Sequence, residues 1–190
     1  MENVEMIVLV VVVLAIVAAA VIGWSYWRGQ RRETLKRHFG PEYGRAVQEH
    51  GSESKAIDAL EARTKRARNY RIRHLSDRER TDFTASWRST QAQFVDDPRG
   101  AVREADTLVC RLMEARGYPM ADFDRRAEDL SVDHPTVIQN YRMAHKIALA
   151  DTEGSASTED LRRAFVCHRA LFAELLEEQP NNPSQREVHA

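Results

Sequence analysis

The sequence predicts an all-α protein: an N-terminal single transmembrane helix followed by a soluble multi-helix bundle. Three observations predict it. Met6 to Trp27 is an uncharged run of 22 residues. As a helix it would be about 33 Å long, enough to cross a hydrocarbon core of about 30 Å. From Asp77 onward, apolar residues recur at spacings of three and four, and no stretch alternates as a half-buried strand would. Helix starts and stops are written in side chains that bond to backbone ends, such as Asp97-Pro98 and Gly117-Tyr118-Pro119.

The anchor is rich in β-branched residues (Ile7-Val8-Leu9-Val10-Val11-Val12-Val13). In lipid the helix is enforced, because an unpaired backbone group there costs several kcal/mol. Trp24, Tyr26 and Trp27 follow at the depth of an aromatic belt, and then come Arg28, Arg31, Arg32, Lys36 and Arg37. The preceding flank carries only Glu2 and Glu5. The positive-inside rule therefore puts the N-terminus outside and the C-terminal domain in the cytoplasm. A cleaved signal peptide would need a basic start and a shorter apolar region. Ala15, Ala19 and Gly23 form a small-residue stripe of the kind that lets two membrane helices approach, so a homodimer is one partner this segment suggests.

The anchor helix is expected to run to about His38, where Gly40-Pro41 breaks it. Residues 39–75 form a basic helical connector. It holds a short helix with Phe39, Tyr43 and Val47 at spacings of four and a polar helix from Glu53 to about Asn69. An extended link from Tyr70 to Leu75 completes it. Residues 76–178 form the bundle. Ser76-Asp77-Arg78-Glu79 is a capping box, and its helix should bury Phe83, Trp87, Gln91 and Phe94. Asp97 and Pro98 start the next, which carries Ala101, Val102, Ala105, Leu108, Val109, Leu112 and Met113 inward and ends at Gly117. Asp122 caps a short helix with Phe123, Ala127 and Leu130. Asp133, ahead of His134-Pro135, reads as the N-cap of a helix bearing Val137, Ile138, Tyr141, Ala144, His145 and Ala148. Ser157 or Thr158 caps the last, with Leu161, Ala164, Phe165, His168, Leu171, Phe172, Leu175 and Leu176 inward. Residues 179–190, almost without apolar side chains, read as a disordered tail.

The net charge of −1 conceals a division. Arg28 to Arg88 holds 16 Lys/Arg against 9 Asp/Glu, a balance of +7, and Ser89 to Ala190 holds 12 against 18, a balance of −6. The basic half suits an anionic surface, or it packs on the acidic half. Cys110 and Cys167 fall on apolar helical faces and read as two buried thiols.

No catalytic constellation is legible. There is no G-x-S-x-G, no glycine-rich phosphate loop, no His-Glu-x-x-His and no paired C-x-x-C. Neither enzyme, metal nor cofactor is therefore expected. The densest group of chemistry-bearing residues is Asp133, His134, Arg142 and His145, a candidate small-ligand or enzyme pocket. On one helix the two histidines would stand about 16 Å apart, too far to share a metal. Arg63, Lys65, Arg66, Arg68 and the residues up to Arg73 form a basic segment able to hold phosphates, but no nucleic-acid-binding motif accompanies it, so nucleic acid is not expected as a partner.

Several runs carry a resemblance: Phe94-Val95-Asp96-Asp97-Pro98, Arg116-Gly117-Tyr118-Pro119, Asp129-Leu130-Ser131-Val132-Asp133-His134-Pro135, Tyr141-Arg142 and Ala144-His145. In these, over roughly residues 39–176, the chain resembles a group of bacterial membrane-anchored helical proteins of unknown activity. The resemblance implies a bacterial inner-membrane setting and no mechanism. The expectation is a membrane-anchored helical adaptor whose partners are the bilayer and another protein. Trp87, Phe94, Tyr118, Phe123 and Tyr141 would mark that interface if exposed and the core if buried.

Overall fold

The computed structural model describes the backbone of residues 2–177 and the side chains of residue 14 and residues 16–177. These residues form eight helices and, among them, no strand. In order they are α1 (Glu2–Phe39), α2 (Pro41–His50), α3 (Glu53–Ala67), α4 (Asp77–Gln93), α5 (Pro98–Arg116), α6 (Phe123–Asp133), α7 (Ile138–Thr152) and α8 (Thr158–Glu177). Among the described residues no helix is long and apolar enough to cross a membrane. The side chains of Met6–Val13 and of Ala15, on which the anchor expectation also rests, lie outside the described set, as does the expected tail 179–190. The chain divides into two compact units, Met1–Leu60 and Glu61–Ala190, with the boundary inside α3.

In the first unit Gly40 ends α1 at a φ of 49°, and Pro41 opens α2 at once. A proline N lacks the hydrogen that α1 would need to continue, while its fixed φ suits a first helical turn. A chain of polar contacts links the three helices. The Tyr43 hydroxyl donates to Glu53 at 2.7 Å, and the same Glu53 oxygen lies 2.6 Å from Arg32. Burial, reinforced by the Glu53 carboxylate, pushes the Tyr43 phenol up.

The second unit is built around α8, which packs along both α5 and α7, while α4 lies against α5 and α6 against α7. Local chemistry sets each start. The Ser76 hydroxyl accepts from the Glu79 amide, and the Glu79 carboxylate accepts from the Ser76 amide at 2.8 Å, satisfying two orphan donors. Arg73 and these Ser76 bonds hold the Glu79 carboxyl down to about 2. Asp97 accepts from Gly100 at 2.9 Å, and Ser157 and Asp160 form a second reciprocal cap. Trp87 of α4 stacks on both Phe165 and Phe172 of α8, at 5.1 and 4.6 Å between ring centres. Those two rings stand seven residues apart, two turns on one face, so the indole bridges them.

Two expectations are corrected. The buried face of α4 is Phe83, Trp87, Thr90 and Phe94, not Gln91, which is exposed. Steps of four, three and four follow the helix at 3.6 residues per turn, whereas repeated steps of four drift off the face. Asp133 is not an N-cap. It is the last residue of α6, with His134 as the C-cap, and α7 begins only at Ile138 without a side-chain cap. Pro135 disfavours helical backbone at His134, so the Asp-His-Pro run stops a helix instead of starting one.

The end of α5 meets the connector, α6 and α8. Gly117 has a φ of 93°, and the amides of Gly117 and Tyr118 bond back to Glu114 and Met113. This is a Schellman ending. A Cβ on Gly117 would lie 2.5 Å from the Arg71 carbonyl oxygen, so the connector runs against bare backbone. Gly117→Ala is expected to destabilise this unit by about 2 kcal/mol or more, from left-handed strain and from displacement of the connector. Hydrogen exchange of the α5 and α8 amides should show that loss; unchanged protection would refute the contact.

Candidate functional site

The four residues singled out from the sequence are held by different neighbours. Asp133 and His134 meet at Tyr118, whose hydroxyl lies 3.0 Å from His134 Nε2 and 3.4 Å from the Asp133 carboxylate. His134 is buried, and its Nδ1 lies 3.5 Å from Glu174 of α8. His134 is therefore a positioned link between the α5 ending, α6 and α8. His145 sits on α7 and stacks face to face with Phe123 at 3.5 Å. Arg142, also on α7, is half-buried.

His145 belongs to a polar cluster that the sequence reading did not assemble. Asp106 and Cys110 of α5, Arg126 of α6, Tyr141 and His145 of α7 and His168 of α8 interact electrostatically; Tyr141 and His168 are buried and the other four half-buried. Two pairs are four residues apart, Asp106 with Cys110 and Tyr141 with His145, so each shares one helical face. Arg126 donates to the Tyr141 hydroxyl at 3.3 Å and to the Ala121 carbonyl at 2.6 Å. Phe123 closes over this side, 4.9 Å from the Tyr141 ring. His168 stands edge-on to Tyr141 at 6.4 Å, is 1 % exposed, and neither of its ring nitrogens has a hydrogen-bond partner.

Burial sets the protonation states here. It pushes the His168 imidazole below its ordinary value, with Asp106 opposing and His145 assisting. His145 is pushed down for the same reason, against the pull of Asp106 and Asp124. Burial and the Asp106 carboxylate push the Cys110 thiol up, and burial pushes the Tyr141 phenol up. Cys167 is likewise pushed up by burial, and both cysteines are free thiols. A neutral thiol with a raised pKa is a poor nucleophile. Among the described residues no group of three or more His, Cys, Asp or Glu side chains is arranged to hold a metal ion.

The basic segment divides. Arg63, 2 % exposed, lies 3.2 Å from Glu128, and Arg66 bonds both Glu128 at 2.8 Å and Asp129 at 3.2 Å. Tyr70 donates to the other Asp129 oxygen at 2.8 Å. Lys65, Arg68 and Arg71 remain exposed. Arg63 and Arg66, two of the cations named for phosphate contact, are therefore engaged by carboxylates of the acidic half.

On α1, Trp24, Tyr26 and Trp27 are exposed, and the Arg28 and Arg31 guanidiniums lie over the Trp24 and Trp27 rings at 4.9 and 4.4 Å. These are cation–π pairs at a spacing of four. The other aromatics watched from the sequence are interior: Trp87, Tyr118 and Tyr141 are buried, and Phe94 and Phe123 pack against the core.

No protein-family model matches this chain, and neither a curated protein nor a solved structure is significantly similar to it.

The orphaned His168 generates a pH dependence. The unfolded chain takes up a proton near the ordinary value of 6.5, whereas the folded His168 resists it. Stability is thus full above that value and lost as the pH falls below it, by up to about 1.4 kcal/mol per pH unit. His145 contributes in the same direction. His168→Leu should flatten the fall in thermal midpoint between about pH 7.5 and 5.5. It should also be neutral or slightly stabilising at pH 7.5, because it removes two unsatisfied polar atoms. An unchanged slope would show that His168 is not the group resisting the proton.

Proposed function

We propose that the protein is a single-pass, membrane-anchored helical interaction protein. In this reading the N-terminus is outside, and the 61–177 unit is displayed in the cytoplasm at a bacterial inner membrane. The observation that carries it is the exposed apolar surface of α1. Leu14, Ile16, Val17, Val21 and Ile22 are each more than half exposed on a single helix. Burying such a side chain is favourable by about 1.5–3 kcal/mol, so this surface calls for a cover. Lipid fits better than a soluble partner because the surface continues the uncharged run from Met6 and ends in a Trp–Arg belt. The orientation follows from the arginines after the run.

The adaptor role draws on the apolar side chains Val95, Leu149 and Val166, which stand exposed on the second unit. A second reading, a small-ligand binder, draws on the Asp106–Arg126–His145–His168 cluster, where an unpartnered buried imidazole is the specific favourable feature. A nucleic-acid tether is less favoured, since Arg63 and Arg66 are already paired.

Alkaline carbonate extraction tests the anchor. The full-length protein should stay with the membrane pellet, and the pair Ile16→Arg and Ala20→Arg should release it. Each central arginine opposes insertion by about 2.5–3.5 kcal/mol. Release of the unaltered protein would overturn the anchored reading. For the adaptor role, photocrosslinkers at the exposed Val95, Leu149 and Val166 should trap one specific protein in native membranes. Failure at all three positions, with a bound small molecule recovered instead, would favour the ligand reading.

A further inference from the structure

The first unit contains a cleft that neither the anchor nor the adaptor reading uses. α1 and the start of α3 border an open cleft of about 400 Å³, whose lining includes Trp24, Arg28, Arg32, Glu53, Ser54 and Ile57. A smaller recess of about 150 Å³ continues it toward Trp27 and Arg31. Gly29 leaves the floor open, since a Cβ there would meet nothing within 4 Å. We propose that this cleft binds the phosphate-bearing headgroup of an anionic phospholipid. The proposal rests on the anchored reading, because only the bilayer brings a headgroup to this depth.

The chemistry supports an anion here. Three guanidiniums, Arg28, Arg31 and Arg32, border the two spaces. Arg28 and Arg31 are held over indole faces, and Arg28 also donates to the Ser54 hydroxyl at 3.0 Å. Guanidiniums fixed in this way lose little side-chain freedom on meeting a phosphate, which they bind with a planar fork. Two carboxylates are present. Glu53 is held by Arg32 at 2.6 Å and by the Tyr43 hydroxyl at 2.7 Å, while Asp58 lies in the smaller recess. The three cations outnumber the two anions by one, and Arg32 among them is the group that matches Glu53. Position adds selectivity. These are the first charges after the uncharged run, beside Trp24 and Trp27, at the level of headgroups and not of free solutes. Ile57 and the indole rings supply apolar wall for the glycerol and upper acyl chain.

The test uses the full-length protein in phosphatidylcholine vesicles. A few mole per cent of acyl-brominated lipid is added, as phosphatidylglycerol or as phosphatidylcholine, and quenching of tryptophan emission is read. Phosphatidylglycerol should quench several-fold more effectively at equal mole fraction. Each arginine removed should reduce that preference by roughly fivefold or less. Arg28→Gln with Arg31→Gln should bring the two lipids close to equal. Glu53→Gln, which releases Arg32, should raise the preference, a change that a damaged fold would not produce. Excess inorganic phosphate should leave the quenching unchanged, whereas competition by it would overturn the headgroup assignment in favour of a soluble anion. Equal quenching by both lipids in the unaltered protein would overturn the cleft proposal while leaving the anchor intact. No quenching by either lipid would instead remove the anchored reading, and the cleft proposal with it.

Discussion

A buried positive charge at the end of α5 holds the second unit together. Arg116 is fully enclosed, and its guanidinium donates to the Leu175 carbonyl at 2.7 Å. Arg80 reaches the neighbouring Leu176 carbonyl from α4. The last carbonyls of a helix lack partners of their own and carry the negative end of its dipole, so two guanidiniums there answer both deficits. A buried charge deprived of its acceptors is strongly destabilising, which pins the end of α8 against α5 and α4. The next two residues extend the junction. The Arg116 carbonyl accepts from the Arg73 amide at 2.9 Å, Gly117 lies against Arg71, and Tyr118 reaches Asp133 and His134. Three consecutive residues thereby fix α8, the connector and the end of α6.

Within the second unit, this junction sets the connector so that part of its basic segment is not a free surface. The connector is held at one end by backbone contacts with the α5 ending. On the other side of Tyr70, Arg63 and Arg66 reach Glu128 and Asp129 of α6. Asp129 is buried and accepts from both Arg66 and Tyr70, so its charge is compensated within the interior. Burial and this carboxylate push the Tyr70 phenol up, in keeping with its role as donor to Asp129.

Where a signal was local, it was legible in the sequence. The capping box at Ser76, the Asp97-Pro98 start and the Gly117 ending depend on residues within one turn, and all three form as their spacing implies. The Asp133-His134-Pro135 run was misread because a short acid before a proline can precede a helix or follow one. What decided was tertiary: Tyr118 takes the Asp133 carboxylate and the His134 ring. The polar cluster was illegible for a different reason. Its members come from four helices, and Cys110, Tyr141, His145 and His168 sit on faces already explained by core periodicity. The paired spacings of Asp106 with Cys110 and Tyr141 with His145 were the available signal. Only His145 stood out, since nothing in the chain order brings Arg126 or His168 beside it. The proposed anchor is the reverse case: composition alone suggests it, and the side chains of Met6–Val13 and Ala15 lie outside the described residues.

The connector beside Gly117 has a consequence for how this sequence can vary. Beside the burial of Leu75, two backbone contacts set its path: the Arg71 carbonyl lies against a residue without a side chain, and the Arg73 amide bonds the Arg116 carbonyl. Neither contact involves the connector's own side chains. Arg71 and His74, both exposed, are thus open to drift, while position 117, on another element, is closed to it. The constraint on the connector is recorded some 45 residues away from it, in a glycine that a reading of the connector alone would never inspect.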